Sequence, residues 1–251
     1  MNSIECDLRP ISLIPTINKL LTATIANWIL DAISDKVDVK QFGAIKGRST
    51  TEAIIDLLHQ WNGTLDNGGS VRVLLIDYAK EFDHVDHLIV CRKLLSLGAP
   101  RQLVIWIHSF LKDRKQRVKI ESTISRWLTL NGGIPEGSWL GPPCFLIMIY
   151  DTKLPLPVSK FVDDTTVTEL VAKSAELSCR MQCACNELVQ RSDDNKLNIN
   201  NRKTKKLIMG QLYNSQVPTV NIQGEDIERV TKFKLLGVIV NQSLKWNDHN
   251  L

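Results

Sequence analysis

The chain has 251 residues, 43% hydrophobic and 23% charged, enough to bury a sizeable core as one globular unit or two small lobes, and nothing in this mix marks it as disordered. A formal net charge of only +4 permits a nucleic-acid partner without demanding one. The longest apolar runs, Leu103 to Ile107 and Cys144 to Ile149, fall far short of the roughly 20 residues of a membrane span, and the acids in MNSIECDLRP do not fit a secretory signal, so a soluble intracellular protein is expected.

Apolar spacing predicts amphipathic helices over Pro15 to Ile33 and Thr50 to Trp61, the second capped from among Ser49, Thr50 and Thr51. Between them lies the Gly-containing basic loop QFGAIKGRST. A turn at Asn67 to Gly69 leads into the β-branched run VRVLLI, a buried strand that ends in Asp77. Helical patterns follow at about 85–97 and 101–112. Short strands near RVKI and RWLTL precede the loop NGGIPEGS and an apolar helix from Trp139 to Tyr150. SKFVDDTTVTELV reads as a hairpin whose turn carries Asp163 and Asp164. A helix from Lys173 to Gln190, a strand at KKLIM and a final strand pair, VPTVNIQ with FKLLGVIV, close the chain. Strand, helix, hairpin, helix and strand in that order make an α+β fold, a split βαβ, ferredoxin-like sheet with helices on one face. Such a sheet can bring Asp77 beside the hairpin turn.

Three carboxylates at adjacent strand ends repel unless a cation neutralises them, and hard oxygen ligands suit Mg²⁺ or Mn²⁺. Two such ions can activate a hydroxyl and stabilise a pyrophosphate leaving group in phosphoryl transfer. Taken singly, Asp-Asp at a turn is also ordinary turn chemistry. The cysteines, Cys6, Cys91, Cys144, Cys179, Cys183 and Cys185, lie in no paired metal-ligand spacing and read as reduced, mostly core residues. His84 and His87, spaced as HVDH, could suggest zinc, since His-x-x-His can bind metal on one helix. Two basic runs stand out: KDRKQRVK, with Lys112, Arg114, Lys115, Arg117 and Lys119, and RKTKK at 202–206. Each can be a solvated face or strand edge, or a nucleic-acid contact.

Several motifs recur in a familiar order over nearly the whole chain: RPISLIP at 9–15, QFGAIKGRST at 41–50, IDYAKEFDHVDH at 76–87, GGIPEGSWLGP at 132–142, FVDD at 161–164, LNINNRKTK at 197–205 and FKLLGVIVNQSLKW at 233–246. Together they resemble the reverse transcriptases of LINE-type non-LTR retrotransposons. The resemblance implies a polymerase palm with partial helical fingers: fingers over 1–70, palm over 71–251 with a fingers insertion at about 98–130, one reverse transcriptase domain at about 5–245. It implies RNA-directed DNA polymerisation with an RNA template, a DNA primer, dNTPs and two Mg²⁺ or Mn²⁺ ions. Asp77 and Asp163 would hold the metals, with Asp164 in support and the Tyr78 carbonyl adding a ligand. Phe82 would lie under the nucleotide sugar and exclude a 2′-hydroxyl. Arg9 would contact the triphosphate. Gly137 and Ser138 would let backbone approach the template or nascent pair, and Lys203 would assist near the leaving group. Lys112, Arg114, Lys115, Arg117 and Lys119 would contact nucleic acid.

The sequence departs from the family pattern at Ala44, Ile45, Glu81, Glu136, Trp139, Pro143, Cys144 and Tyr150. Glu81 and Glu136 add negative charge where a polyanion must enter, at a cost on the order of a few kcal/mol per unscreened contact. The chain also begins after the expected first finger strand and stops before the expected thumb. A second reading is therefore a catalytically inactive remnant with at most non-specific nucleic-acid binding.

Overall fold

The computed structural model describes residues 11–80, 82–173 and 179–246. Helix α1 (Thr16–Ile33) starts after Pro15, whose ring presets the backbone for a helix entry. Helix α2 (Thr50–Asp66) opens on a capping box: the Ser49 side chain accepts from the Glu52 N–H, and the Glu52 carboxylate accepts from the Ser49 N–H. Strand β1 (Ser70–Ile76) follows the Asn67–Gly69 turn. Helix α3 (His87–Ser96) is capped by Asp86, whose carboxylate accepts from the Leu88 and Ile89 N–H groups. Helix α4 (Arg101–Leu111) leads to the short strands β2 (Lys115–Gln116), β3 (Lys119–Ile120), β4 (Thr123–Ile124) and β5 (Leu128–Thr129).

The expected helix over 139–150 is α5 (Gly141–Ile149); Pro142 and Pro143 sit in its first turn, where a missing N–H costs no hydrogen bond. Strands β6 (Val158–Phe161) and β7 (Asp164–Val171) form the expected hairpin. Helix α6 runs Arg180–Asp194, later than expected, with residues 174–178 outside the described ones. After β8 (Lys205–Gly210), the final strands differ from expectation. β9 (Asn221–Ile222) pairs with β10 (Glu225–Asp226), and β11 (Arg229–Val230) joins the main sheet. FKLLGVIV folds on itself, β12 (Lys232–Leu235) against β13 (Val238–Asn241). The reason is local: Leu236 and Gly237 both take positive φ, 48° and 90°, the two-residue turn that suits a tight hairpin.

By backbone contacts the chain forms two units, the described residues of Met1–Val37 with Lys80–Ile149, and those of Asp38–Ala79 with Tyr150–Leu251. The second holds the five-stranded mixed sheet, in the order β11-β8-β1-β7-β6. All seven residues of β1 are buried, so both of its faces need cover. Val71, Val73 and Leu75 pack under Leu57 and Trp61 of α2 and under Leu235 and Val240 of the last hairpin. The opposite face carries Arg72, paired at 2.8 Å with Glu169 across the strands, and runs on to the buried Tyr78. The α+β class and the helix-backed sheet are as expected; the second covered face goes with the burial of every residue of β1, Arg72 included. In the first unit, α5 is buried at nearly every residue and packs against α1 and α3. No helix among the described residues is long and apolar enough to cross a membrane.

Candidate active site

The strand register positions the acidic residues. β1 and β7 run antiparallel, with Ile76 opposite Thr165, so one step further Asp77 faces the position of Asp164. Directly paired Cβ atoms lie about 4.5–5.5 Å apart. Asp163 is next along, in the two-residue turn between Phe161 and Asp164. Only Val162 and Asp163 form this turn; Asp164, expected in it, is the first residue of β7. Asp77 and Asp163 are half-buried and Asp164 is exposed. Val162 takes φ +56°, a left-handed conformation that normally goes to glycine at the first position of such a turn. For a β-branched residue it costs on the order of 1–3 kcal/mol, so surrounding contacts must hold it.

The backbone of Asp77 is pinned on the other edge of β1. Its N–H donates to the Thr204 hydroxyl at 3.2 Å, and its carbonyl accepts from the Asn200 N–H at 2.8 Å. The same bridge uses the Ala79 N–H on the Asn198 carbonyl, at 2.8 Å, and pairs Tyr78 with Ile199. In that pattern the Tyr78 carbonyl points to the opposite edge, the side of β7. The Tyr78 phenol is buried among Ser192 and Thr165, and burial pushes its pKa up to about 12. Lys203 lies exposed in the turn before β8. Among the described residues no three His, Cys, Asp or Glu side chains stand close enough to hold a metal ion as they are. The donor set at this corner is carboxylate oxygen and backbone carbonyl, the chemistry that suits a hard divalent cation.

A separate feature lies within the first unit. A cavity of about 230 Å³ is lined by Phe82, Glu136, Gly137, Ser138, Trp139 and Gly141, among others. The Phe82 ring packs against Phe145, centroids 6.1 Å apart, and against Gly141, where an added Cβ would stand 3.2 Å from the ring. The Ile134 N–H donates to the Phe82 carbonyl at 2.8 Å and the Gly133 N–H to the Val85 carbonyl at 2.8 Å, which stitches the NGGIPEGS loop to the segment after Asp77. Gly137 takes φ +91°, which requires glycine. Ser138 is buried with its hydroxyl unpartnered. Thus Phe82, Gly137 and Ser138, chosen from different motifs, share one cavity.

Residues 5–240 match the family described as reverse transcriptase (RNA-dependent DNA polymerase). The chain belongs to the reverse transcriptase family. This reverse transcriptase domain is 24% identical over 253 residues to the RNA-directed DNA polymerase from mobile element jockey of Drosophila melanogaster, covering 96% of this chain and 27% of that protein. It is 25% identical over 252 residues to the probable RNA-directed DNA polymerase from transposon X-element of the same species, again 96% of this chain and 27% of the relative. The chain thus spans about a quarter of the length of these relatives. Among solved structures, apo telomerase from Candida tropicalis aligns with TM-score 0.62 and 11% identity, over 91% of this chain and 40% of that one. The same telomerase in complex with a fragment of telomeric RNA gives 0.61 and 11%, over 94% and 38%. The shared fold is the polymerase palm.

The remaining sequence-predicted positions of the reverse transcriptase fall as follows. Arg9 lies outside the described residues. Lys112, Lys115, Arg117 and Lys119 are exposed and Arg114 is half-buried, with its guanidinium 5.9 Å from the Phe110 ring. Arg117 lies 4.6 Å over the exposed Trp127 ring. In the RKTKK run Lys206 is not a solvated cation: it is buried on β8, and burial, then Arg72 and Arg229, lower its pKa. The alternation of β8 turns it inward. His87 bonds the Gly133 carbonyl through Nε2 at 2.7 Å, and Asp86 caps α3, so this segment is helix-start chemistry. Sequence reasoning missed Thr204, the anchor of Asp77, and Gly141, the seat of Phe82. Both stand inside recognised motifs, as a hydroxyl before a buried strand and a glycine before a Pro-Pro helix start.

Proposed function

We propose that this domain is an RNA-directed DNA polymerase that adds dNTPs to a DNA primer 3′ end on an RNA template. The observation that carries this reading is the β1–β7 register, which ranges Asp77, Asp164 and the Asp163 turn around one corner of the sheet in a chain of this family. Fingers over 1–70 with an insertion at about 98–130, and palm over 71–251, are the proposed division.

Asp77 and Asp163 would hold two divalent ions, Mg²⁺ or Mn²⁺, with Asp164 and the Tyr78 carbonyl in support. Such ions supply Lewis-acid activation of the primer 3′-hydroxyl and charge stabilisation of the pyrophosphate. The chain's own residues would do the rest. Thr204 and Asn200 fix the Asp77 backbone, so its carboxylate stays at the strand end. Phe82, seated on Gly141 and Phe145, would exclude a 2′-hydroxyl, and Gly137 and Ser138 would admit the nascent base pair. Arg9 would bind the triphosphate and Lys203 would assist the leaving group. Lys112, Arg114, Lys115, Arg117 and Lys119 would contact template or primer phosphates, for which the exposed Arg117 over the Trp127 ring is suited. The telomerase likeness, seen with an RNA fragment bound to that protein, supports an RNA partner.

The second reading, a remnant that binds nucleic acid without catalysis, is favoured by one observation. Glu136 puts a carboxylate on the wall of the Phe82 cavity, where a triphosphate would have to enter. The deciding experiment is dNTP incorporation on poly(rA) primed with oligo(dT), with Mg²⁺ or Mn²⁺, comparing the chain with Asp163→Asn/Asp164→Asn. Incorporation lost in the double variant establishes the polymerase. No incorporation by either folded protein favours the remnant and turns the test to nucleic-acid binding and its salt dependence.

A further inference from the structure

We infer that Gln41 is a positioning residue: its side-chain carbonyl holds the left-handed turn that presents Asp163. The inference rests on the polymerase reading for its consequence and on geometry within one unit for its cause.

Segment Lys40–Gly43 lies along the free edge of β6 as a short parallel bridge, Gln41 beside Lys160. The Lys160 N–H donates to the Lys40 carbonyl at 2.9 Å and the Phe42 N–H to the Lys160 carbonyl at 2.8 Å. Beyond this bridge the hairpin turns at Val162, and backbone pairing gives out. There the buried Gln41 side chain, 3% exposed, takes over. Its Oε1 accepts from the Gly43 N–H at 2.9 Å and from the Val162 N–H at 3.3 Å. Both groups facing it are backbone donors, so the amide oxygen, not the nitrogen, must be turned to them. One acceptor thus ties the loop to the strained residue next to Asp163.

Gly43 makes this contact sterically possible. A Cβ there would stand 2.4 Å from the Val162 nitrogen and 2.6 Å from its Cγ2, closer than side chains approach. Beneath, the fully buried Lys160 ammonium reaches Asp38 at 3.3 Å, a second tie between the same loop and β6. The turn is therefore held by its neighbours rather than by its own sequence, as its φ of +56° at a valine demands. A ligand carboxylate at the tip depends on such outer support, and losing a support of this kind typically weakens metal affinity about 10–100-fold.

The test compares the full chain with Gln41→Met, which keeps size and loses the acceptor, with Gln41→Glu, which keeps an acceptor oxygen, and with Asp163→Asn. Two readouts are taken: Mn²⁺ titration followed by the paramagnetic signal of free Mn²⁺, and amide hydrogen exchange of peptides covering 158–165 and 70–77. Expected are Mn²⁺ binding about tenfold weaker in Gln41→Met, partial recovery in Gln41→Glu, and faster exchange at 158–165 with β1 unchanged. Equal exchange in Gln41→Met and the parent overturns the inference, as does parent-like Mn²⁺ binding despite faster exchange. If the parent itself binds Mn²⁺ no better than Asp163→Asn, the carboxylate-site reading falls, and the positioning role falls with it; that result is distinct from a parent that binds and a Gln41→Met that binds equally.

Discussion

Phe82 and Gly141 show how much a single position can decide. The ring is held from behind by Phe145 and from the side by a glycine whose missing methyl group leaves just enough room. Under the proposed gate role, removing the ring in Phe82→Ala opens space for a 2′-hydroxyl. Sugar discrimination, the ratio of kcat/KM for dNTP over rNTP in primer extension, is expected to fall on the order of tenfold or more. Gly141→Ala acts in the opposite sense. Its methyl, 3.2 Å from the ring, must displace Phe82 by a few tenths of an ångström, so dNTP use should weaken while discrimination is kept. A ratio that does not move in Phe82→Ala rejects the gate role.

At the scale of elements, the sheet carries a charged pair inside its core. Arg72 and Glu169 are directly opposite on β1 and β7, with side chains 3% exposed and 2.8 Å apart. Breaking such a pair leaves an uncompensated buried charge, at a cost on the order of 3–5 kcal/mol. Glu169→Leu is expected to lower stability by that amount in urea unfolding, and Arg72→Met/Glu169→Leu to recover most of it. A single variant as stable as the parent shows that the pair is solvated. This pair was not legible in the sequence, because Arg72 and Glu169 interrupt apolar runs and pair only through register. What was legible follows from local chemistry: the Ser49–Glu52 capping box, the VRVLLI strand delivering Asp77, and the hairpin bearing Asp163. What was not legible is long-range. Nothing in RKTKK says that Thr204 bonds the Asp77 backbone and Lys206 turns inward, and nothing in QFGA says that Gln41 reaches a turn 121 positions away. The self-folding of FKLLGVIV was missed for a different reason, since Leu-Gly is a weaker hairpin signal than Asn-Gly.

Taken whole, the molecule buries both acidic and basic ionisable groups, and their balance sets its response to pH. Burial pushes the Cys144 thiol in the first unit and the Cys185 thiol in the second up to about 12, and the Tyr78 phenol likewise to about 12. A group whose pKa is raised by folding stabilises the native state fully below its unfolded value, and loses that contribution as pH climbs toward the folded value. For the thiols this window opens near 9 and for the phenol near 10. Lys160 and Lys206 act in the opposite direction: burial lowers both, so their deprotonation adds stability as pH approaches 10.5. Each lysine keeps an acidic neighbour that offsets part of its lowering, Asp38 for Lys160 and Asp226 for Lys206. Each unit of displacement is worth about 1.4 kcal/mol. The urea midpoint is therefore expected to hold from pH 7 to 9 and to fall between 9 and 11, less steeply in Cys144→Ala/Cys185→Ala than in the parent. A midpoint that rises across that range means the lysines dominate, and Lys160→Met/Lys206→Met would then abolish the rise.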